Sequence, residues 1–385
     1  MFLPHLVLRN AFRHKLRTAL TLTGIVVAIA AFGLLRTIVD AWYAGANASS
    51  SARLVTRSSV SLVFPLPLTY APKIRQVPGV VGVTWANWFG GVYVSERNFF
   101  PQFAVDAPTY LAIYPEFVLS PEEKKAFLAD RTGAIVGRKL ADLYGWKVGD
   151  QIPLRGTIYP GTWTFTLRGI YDGAEPTTDQ QTMFFHWGLL NETVKRIYPR
   201  RADQTGVFIE LLAEPAAAPE VSRAIDATFK NSLAETLTET EKAFQLGFVA
   251  MAEAILLAIQ AVSYIVVVII MAVMANTMAM TARERSAEYA TLKALGFSGA
   301  FVAMLIVAES LAIAIAGGAL GAMVTVPIAE AFAKTVGSMF PSIAVSRETM
   351  ALQLAAAAIV GLVAACWPAW RAARLRIVDG LRAIV

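Results

Sequence analysis

Residues Asn276 to Gly296 read NTMAMTARERSAEYATLKALG, and their placement decides the fold. Arg283, Glu284, Arg285, Glu288 and Lys293 crowd into this short block between two long apolar runs that otherwise avoid charge. A helix here is expected to be exposed to water and held close to a membrane, where something outside the bilayer docks on it.

The runs on either side set the class. The 385-residue chain is 56% hydrophobic and 16% charged, with a mean hydropathy of +0.52, above ordinary soluble domains. A span needs about 20 mostly apolar residues. Four segments qualify: Thr18 to Val39, Phe248 to Met280, Ala300 to Ile328 and Met350 to Trp370. The remainder is one large polar insert after the first span, with short tails.

Basic residues translocate poorly and stay cytoplasmic. Arg9, Arg13, Lys15 and Arg17 precede the first span, Arg283, Arg285 and Lys293 lie between spans two and three, and Arg371, Arg374, Arg376 and Arg382 follow span four. One side accommodates all three clusters, so both termini are expected in the cytoplasm and Ala46 to Gly247 outside. The formal charge of +6 then belongs to membrane edges, and no nucleic-acid footprint remains. A cleaved signal peptide is the alternative for the N-terminus, but the first apolar stretch is too long for an h-region. Cys366 is the single cysteine and sits in span four, so the insert must be stabilised by its own core.

Along the insert, Arg53 to Leu62 alternates like a strand and a short helix is expected near Lys73 to Val77, followed by a turn at Pro78 and Gly79. Val80 to Val94 reads as strand with a glycine bulge at Gly90 and Gly91. Ala134 to Leu143 reads as helix, Thr162 to Tyr171 as strand, Met183 to Tyr198 as helix, Gly206 to Leu212 as strand and Pro219 to Phe229 as helix. The mixed order implies an α+β domain. From Ser232 onward, Leu233, Leu237, Phe244 and Phe248 recur at helical spacing beside Glu235, Glu239, Glu241 and Lys242, with no breaker before span two. One helix from Leu233 to Met280 would be on the order of 70 Å long and would project as a stalk; the alternative is an amphipathic helix lying on the domain, kinked near Gly247. The expected division is therefore an entry helix (1–17), span one (18–45), the external α+β domain (46–231), stalk and span two (232–280), a cytoplasmic helix (281–297), span three (298–333), a short external loop (334–349), span four (350–370) and a tail (371–385).

Three stretches resemble the MacB/FtsX-type permeases of ATP-binding cassette (ABC) systems, the mechanotransmission class. They are LRNAFRHKLRTALTLTGIVVAIA (Leu8 to Ala30), RERSAEYATLKALG with the following Glu309 and the glycines Gly317, Gly318 and Gly321, and PAWRAARLRIVDGLR (Pro368 to Arg382). Within the insert, PGVVGV, GAIVGRKLADLYGWKVGDQIPL and TFTLRGIYDG are similar to the family's external domain, a MacB-like periplasmic core. Tyr289 and Ala290 depart from the family's usual Ile-Gly, and the chain carries no fused ATPase, which implies a split system.

No Gly-x-x-x-x-Gly-Lys-Ser/Thr phosphate-binding loop occurs, so this subunit is not expected to be an enzyme, and ATP and Mg belong to a partner. Thr281 to Leu295 suits docking: Arg283, Arg285 and Glu288 offer charge-assisted contacts, Tyr289, Leu292 and Leu295 an apolar face, and Gly296 a stop. The resemblance implies that this is the coupling helix, with Glu284 and Lys293 part of it, seated in a groove of a cytoplasmic ATPase present in two copies beside a second permease, identical or paralogous. Glu309, inside span three, reads as a hydrogen bond to neighbouring helices in preference to proton or substrate handling. Gly317 and Gly321 read as close helix contacts. His5, His14 and His186 are too scattered for a metal site. Asp106, Asp150, Asp172 and Asp179 read as turn residues. Three functions stay open. The first is efflux or extraction of a substrate on the outer side, with a periplasmic adaptor and an outer-membrane duct as further partners. The second is lipoprotein release or FtsX-like activation of a cell-wall hydrolase. The third is a membrane-anchored sensor without an ATPase.

Overall fold

A computed structural model describes residues 15–175, 177–336 and 343–377. Arg9, Arg13, Arg382 and most of the expected entry helix lie outside the described residues. Two compact units divide the chain at Asp40/Ala41 and again at Ala252/Glu253.

The unit from Ala41 to Ala252 follows α1 (Lys15–Ala48), whose last turns it includes. Its elements run β1 (Arg53–Ser58), β2 (Leu66–Pro67), α2 (Tyr70–Arg75), β3 (Val80–Trp88), β4 (Gly91–Val92), β5 (Gln102–Val105), α3 (Ala107–Ile113), β6 (Phe117–Val118), α4 (Pro121–Ala129), β7 (Gly133–Gly137), α5 (Arg138–Tyr144), β8 (Gln151–Gly156) and β9 (Gly161–Gly173). They continue through β10 (Met183–His186), α6 (Trp187–Ile197), β11 (Gln204–Thr205), β12 (Val207–Leu212), α7 (Ala218–Thr228), β13 (Thr236–Thr240) and α8 (Glu241–Met251). The main sheet is mixed, in the order β13-β1-β12-β3-β5-β10-β7-β9-β8-β4. Only β5–β10 and β7–β9 pair in parallel along it.

Alternation along the strands divides side chains between the sheet faces. Leu54 and Phe208 pack with Ile74, Val221 and Ile225 on one face, while their neighbours Val55 and Ile209 pack with Tyr110 and Phe184 on the other. Met183 and Phe185 join a third cluster with Phe89, Trp163 and Leu190. Each fully buried side chain of this kind contributes about 1.5–3 kcal/mol.

The same burial explains two differences from the sequence reading. Gly133–Gly137 and Met183–His186 are strands, not the starts of helices. Both lie in the middle of the sheet, and Gly133–Gly137 is buried throughout, so no alternation betrays them; the helices begin only at Arg138 and Trp187. At the expected bulge, β3 stops at Trp88, Gly90 takes φ +65°, and the chain resumes as β4, a turn that only glycine makes without strain.

The expected helix from Leu233 is also corrected. Thr236–Thr240 is an edge strand paired with β1. Its alternating threonines turn inward, and Asp226 on α7 accepts hydrogen bonds from the Thr236 hydroxyl (2.8 Å), the Thr238 hydroxyl (2.7 Å) and the Thr238 amide (3.1 Å). Helix resumes at Glu241, capped by the Thr240 hydroxyl, ends at Met251, and Ala252 leaves helical geometry at φ −102°, ψ 7°. The break falls at Ala252, not near Gly247, and residues 232–252 belong to the α+β unit.

The other unit holds most of α1 with α9 (Glu253–Glu284), α10 (Ser286–Ala294), α11 (Gly299–Val336) and α12 (Arg347–Ala373). Among the described residues, α1, α9, α11 and α12 are long and apolar enough to cross a membrane. Small residues bring them together, since lipid offers no hydrophobic drive between helices. A Cβ on Gly317 would lie 2.7 Å from Ile25, on Gly321 2.9 Å from Ile29, and on Gly318 2.4 Å from the Cβ of Ala357. Gly318→Val should therefore lower the thermal midpoint of the purified chain, an overpacking cost of about 1–3 kcal/mol. Gly247→Ala, which meets nothing within 4 Å, should not lower it. Equal midpoints for the two variants would refute the close approach.

Polar side chains add staples between the helices. Gln353 donates from Nε2 to the Ile29 carbonyl (2.8 Å) and to Thr325 Oγ1 (2.7 Å), joining α12 to α1 and α11. Thr349 donates to Asp40 Oδ2 (2.9 Å), and Ser310 to the Gly361 carbonyl (2.7 Å).

Candidate functional site

The charged block is built on a break. The α9 helix runs to Glu284, Arg285 leaves helical geometry at φ −98°, ψ 14°, and α10 begins at Ser286. The expected single helix over Thr281 to Leu295 is thus two helices hinged at one arginine. That arginine points inward: its side chain is 8% exposed, its Nη1 donates to Glu309 Oε2 at 2.8 Å and its Nε to Glu288 Oε2 at 2.9 Å. Its guanidinium also lies 5.4 Å from the centre of the Tyr289 ring. Glu309 on α11 is 4% exposed. A buried carboxylate and a buried guanidinium are each costly alone, and together they offset that cost only with good geometry.

At the other end of α10, Lys293 reaches the terminus of α12. Its Nζ donates to the carbonyls of Ala373 (2.9 Å) and Leu375 (2.7 Å), groups that a helix end leaves unpaired. Gly296 takes φ +96°, and the Phe297 amide bonds the Leu292 carbonyl at 3.1 Å, the closing pattern of a glycine-terminated helix. Arg17 holds Glu284 by two hydrogen bonds of 2.6 and 2.7 Å, tying the start of α1 to the end of α9.

The apolar face expected of α10 is divided differently. Tyr289 is 1% exposed and packs in the helix core with Ile306 and Ala369, and Leu292 packs against the same cluster. Leu295 is 72% exposed and Phe297 44% exposed. Residues at i and i+3 serve the bundle, so the outward apolar surface is Leu295 and Phe297, with Arg283 and Glu284 also exposed. Lys15 is exposed. Arg371 lies 5.4 Å from the Trp367 ring and Arg374 4.4 Å from the Trp370 ring.

Sequence reasoning misses Gln353 and the Arg53 cluster. Arg53 bonds Glu241 (2.8 Å) and Glu116 (2.6 Å), Tyr114 donates to Glu241 (2.9 Å), and the guanidinium sits 4.1 Å over the Tyr114 ring. In sequence Glu241 reads as an exposed acid of the stalk. A charge at a strand start opposite another before a helix leaves no periodic signal; a lone glutamine inside an apolar span does, and that signal could have found Gln353.

A family profile described as MacB-like periplasmic core domain matches residues 18–228, more than half of the chain, and one described as FtsX-like permease C-terminal matches residues 261–377. Among curated proteins none matches. Among solved structures, the extracellular domain of the noncanonic ABC-type transporter YknZ from Gram-positive bacteria aligns at 9% identity and TM-score 0.35, covering 49% of this chain and 100% of that one. The periplasmic region of MacB from Actinobacillus actinomycetemcomitans aligns at 7% identity and TM-score 0.36, covering 51% of this chain and 92% of that one. A domain of a putative permease protein from Porphyromonas gingivalis aligns at 15% identity and TM-score 0.33, covering 49% and 88%. Carrying both family domains in order, with four apolar helices around an α+β insert, the chain belongs to the MacB/FtsX-type permeases of ABC transporters.

Proposed function

We propose that this permease passes ATP-driven motion of a cytoplasmic ATPase to its α+β domain on the outer side of a bacterial inner membrane, driving efflux or extraction of a substrate found there. The observation that carries the reading is the anchoring of α10: Arg285 fastens its start to Glu309 of α11 and Lys293 fastens its end to the carbonyls of α12. A push on the exposed Leu295 and Phe297 reaches two spanning helices through charged bonds instead of being lost in a loose loop. Lys and Arg at the span ends support cytoplasmic termini and a cytoplasmic α10. ATP and Mg are bound by the partner ATPase, two copies serving two permeases, and the substrate need not cross the bilayer.

Full-length protein solubilised in mild detergent should bring down an ATPase in equal amount. Leu295→Glu should reduce that recovery at least several-fold while leaving the thermal midpoint within about 1 °C, as expected for an exposed site away from special contacts. Unchanged recovery and transport in this variant would overturn the docking assignment. The same pull-down separates the alternatives, a cell-wall hydrolase pointing to regulation and a bare lipoprotein to lipoprotein release.

A further inference from the structure

The Val55/Ile209 face of the α+β unit is hollowed by a cleft of about 740 Å³, within the range of sites that hold drug-sized molecules. Rings contribute part of its wall, among them Trp88, Phe103, Tyr110, Tyr114, Phe117 and Phe184. Arg53, Glu116, Glu175, Asp179 and Glu241 also line it, four carboxyl groups against one guanidinium. The guanidinium is committed, bonded to Glu116 and Glu241 and laid over the Tyr114 ring, so it has nothing left for an anion. Asp179 is held by the Gln181 amide and the Thr182 hydroxyl, and burial pushes its carboxyl up from the ordinary range, with these two hydrogen bonds and the nearby Lys139 drawing it back in part. Glu175 stands exposed, with no cation within ion-pair distance among the described residues.

We propose that this cleft binds a lipophilic organic cation, an amine or quaternary ammonium on an apolar body, and that such molecules are the substrate class of the permease. The proposal rests on the extraction reading above. Ring faces carry negative potential and attract a cation within about 6 Å of their centroids, and apolar walls accept the body. A neutral acyl chain would satisfy the walls and leave the surplus carboxylates uncompensated; an anion would oppose them.

Full-length protein in neutral detergent should be titrated with tetraphenylphosphonium and, separately, with tetraphenylborate, which has the same shape and the opposite charge, following heat and tryptophan fluorescence. The phosphonium is expected to saturate at one per chain and the borate to bind at least about tenfold more weakly. Glu175→Gln, an exposed change that spares the core, should weaken the phosphonium about three- to tenfold and leave the borate unchanged or tighter. Trp88→Leu should weaken the phosphonium as well. Equal affinity for both ions, or wild-type phosphonium affinity in both variants, would overturn the proposal. Binding is read without an ATPase, so a failure of cation selectivity leaves extraction of another substrate class standing, and a failure of the assembled complex to transport leaves the binding result standing.

Discussion

Arg285→Met is expected to destabilise the helical unit by about 3–5 kcal/mol, because it strands the Glu309 carboxylate in a buried place without its cation. Glu309→Leu should cost a similar amount by stranding the guanidinium. Joined together, Arg285→Met and Glu309→Leu should recover most of the loss, since apolar groups of similar volume replace a buried pair at little cost or with gain. Thermal and denaturant unfolding of the full chain in one detergent measures all three. If the proposed coupling to an ATPase holds, the doubly changed protein should nevertheless transport poorly, because the two apolar replacements would pack without the directed bonds that hold Arg285 at the α9/α10 break. Equal destabilisation of the single and double variants would show that the site owes its stability to something other than the pair.

The second large effect is a pH dependence placed in the α+β unit by Glu210. This residue lies on β12 opposite Leu54, fully buried, and its carboxyl oxygens find no hydrogen bond of ordinary geometry. Burial pushes its pKa from 4.5 up to about 8, and the nearby Asp226 adds to the rise, although Thr56 draws it back in part. The folded form thus holds a proton that the unfolded chain releases near its ordinary value. Stability from this group is complete below pH 4.5 and is lost as pH rises to about 8, on the order of 5 kcal/mol in total. For a domain of this size that corresponds to roughly 10 °C in thermal midpoint. Glu210→Gln should flatten the midpoint profile between pH 5 and pH 9, and Glu210→Leu should exceed the wild type most at the alkaline end. A wild-type profile that is flat, or one that rises across this window, would contradict the burial of an acid at this position.

Legibility in the sequence follows the physics of each region. Spans announce themselves through length, since about 20 apolar residues have no other economical reading. Partly exposed strands such as Gly161–Gly173 alternate and are readable; Gly133–Gly137 and Met183–His186 are not, because a strand covered on both faces shows the same apolar run as a buried helix. Thr236–Thr240 is hidden by leucines and phenylalanines that keep helical spacing across its boundary, and its conformation is settled by pairing with the distant β1 and by the reach of Asp226 from α7. At α10 the residue types and their extent are legible, but not their direction. Arg285, Tyr289 and Leu292 look like a docking face in sequence, and it takes the position of Glu309, 24 residues on, to turn the arginine inward.

The hydrogen bonds of Gln353 limit how α1, α11 and α12 can respond to force. Sliding any one of them along another by a single residue, about 1.5 Å, would stretch a bond of 2.7 or 2.8 Å beyond useful length. The threonine at position 349 adds a further tie between α12 and α1. Tied in this way, the three helices resist sliding past one another, so a shared tilt or swivel strains these bonds less than a ratchet of one helix along the next.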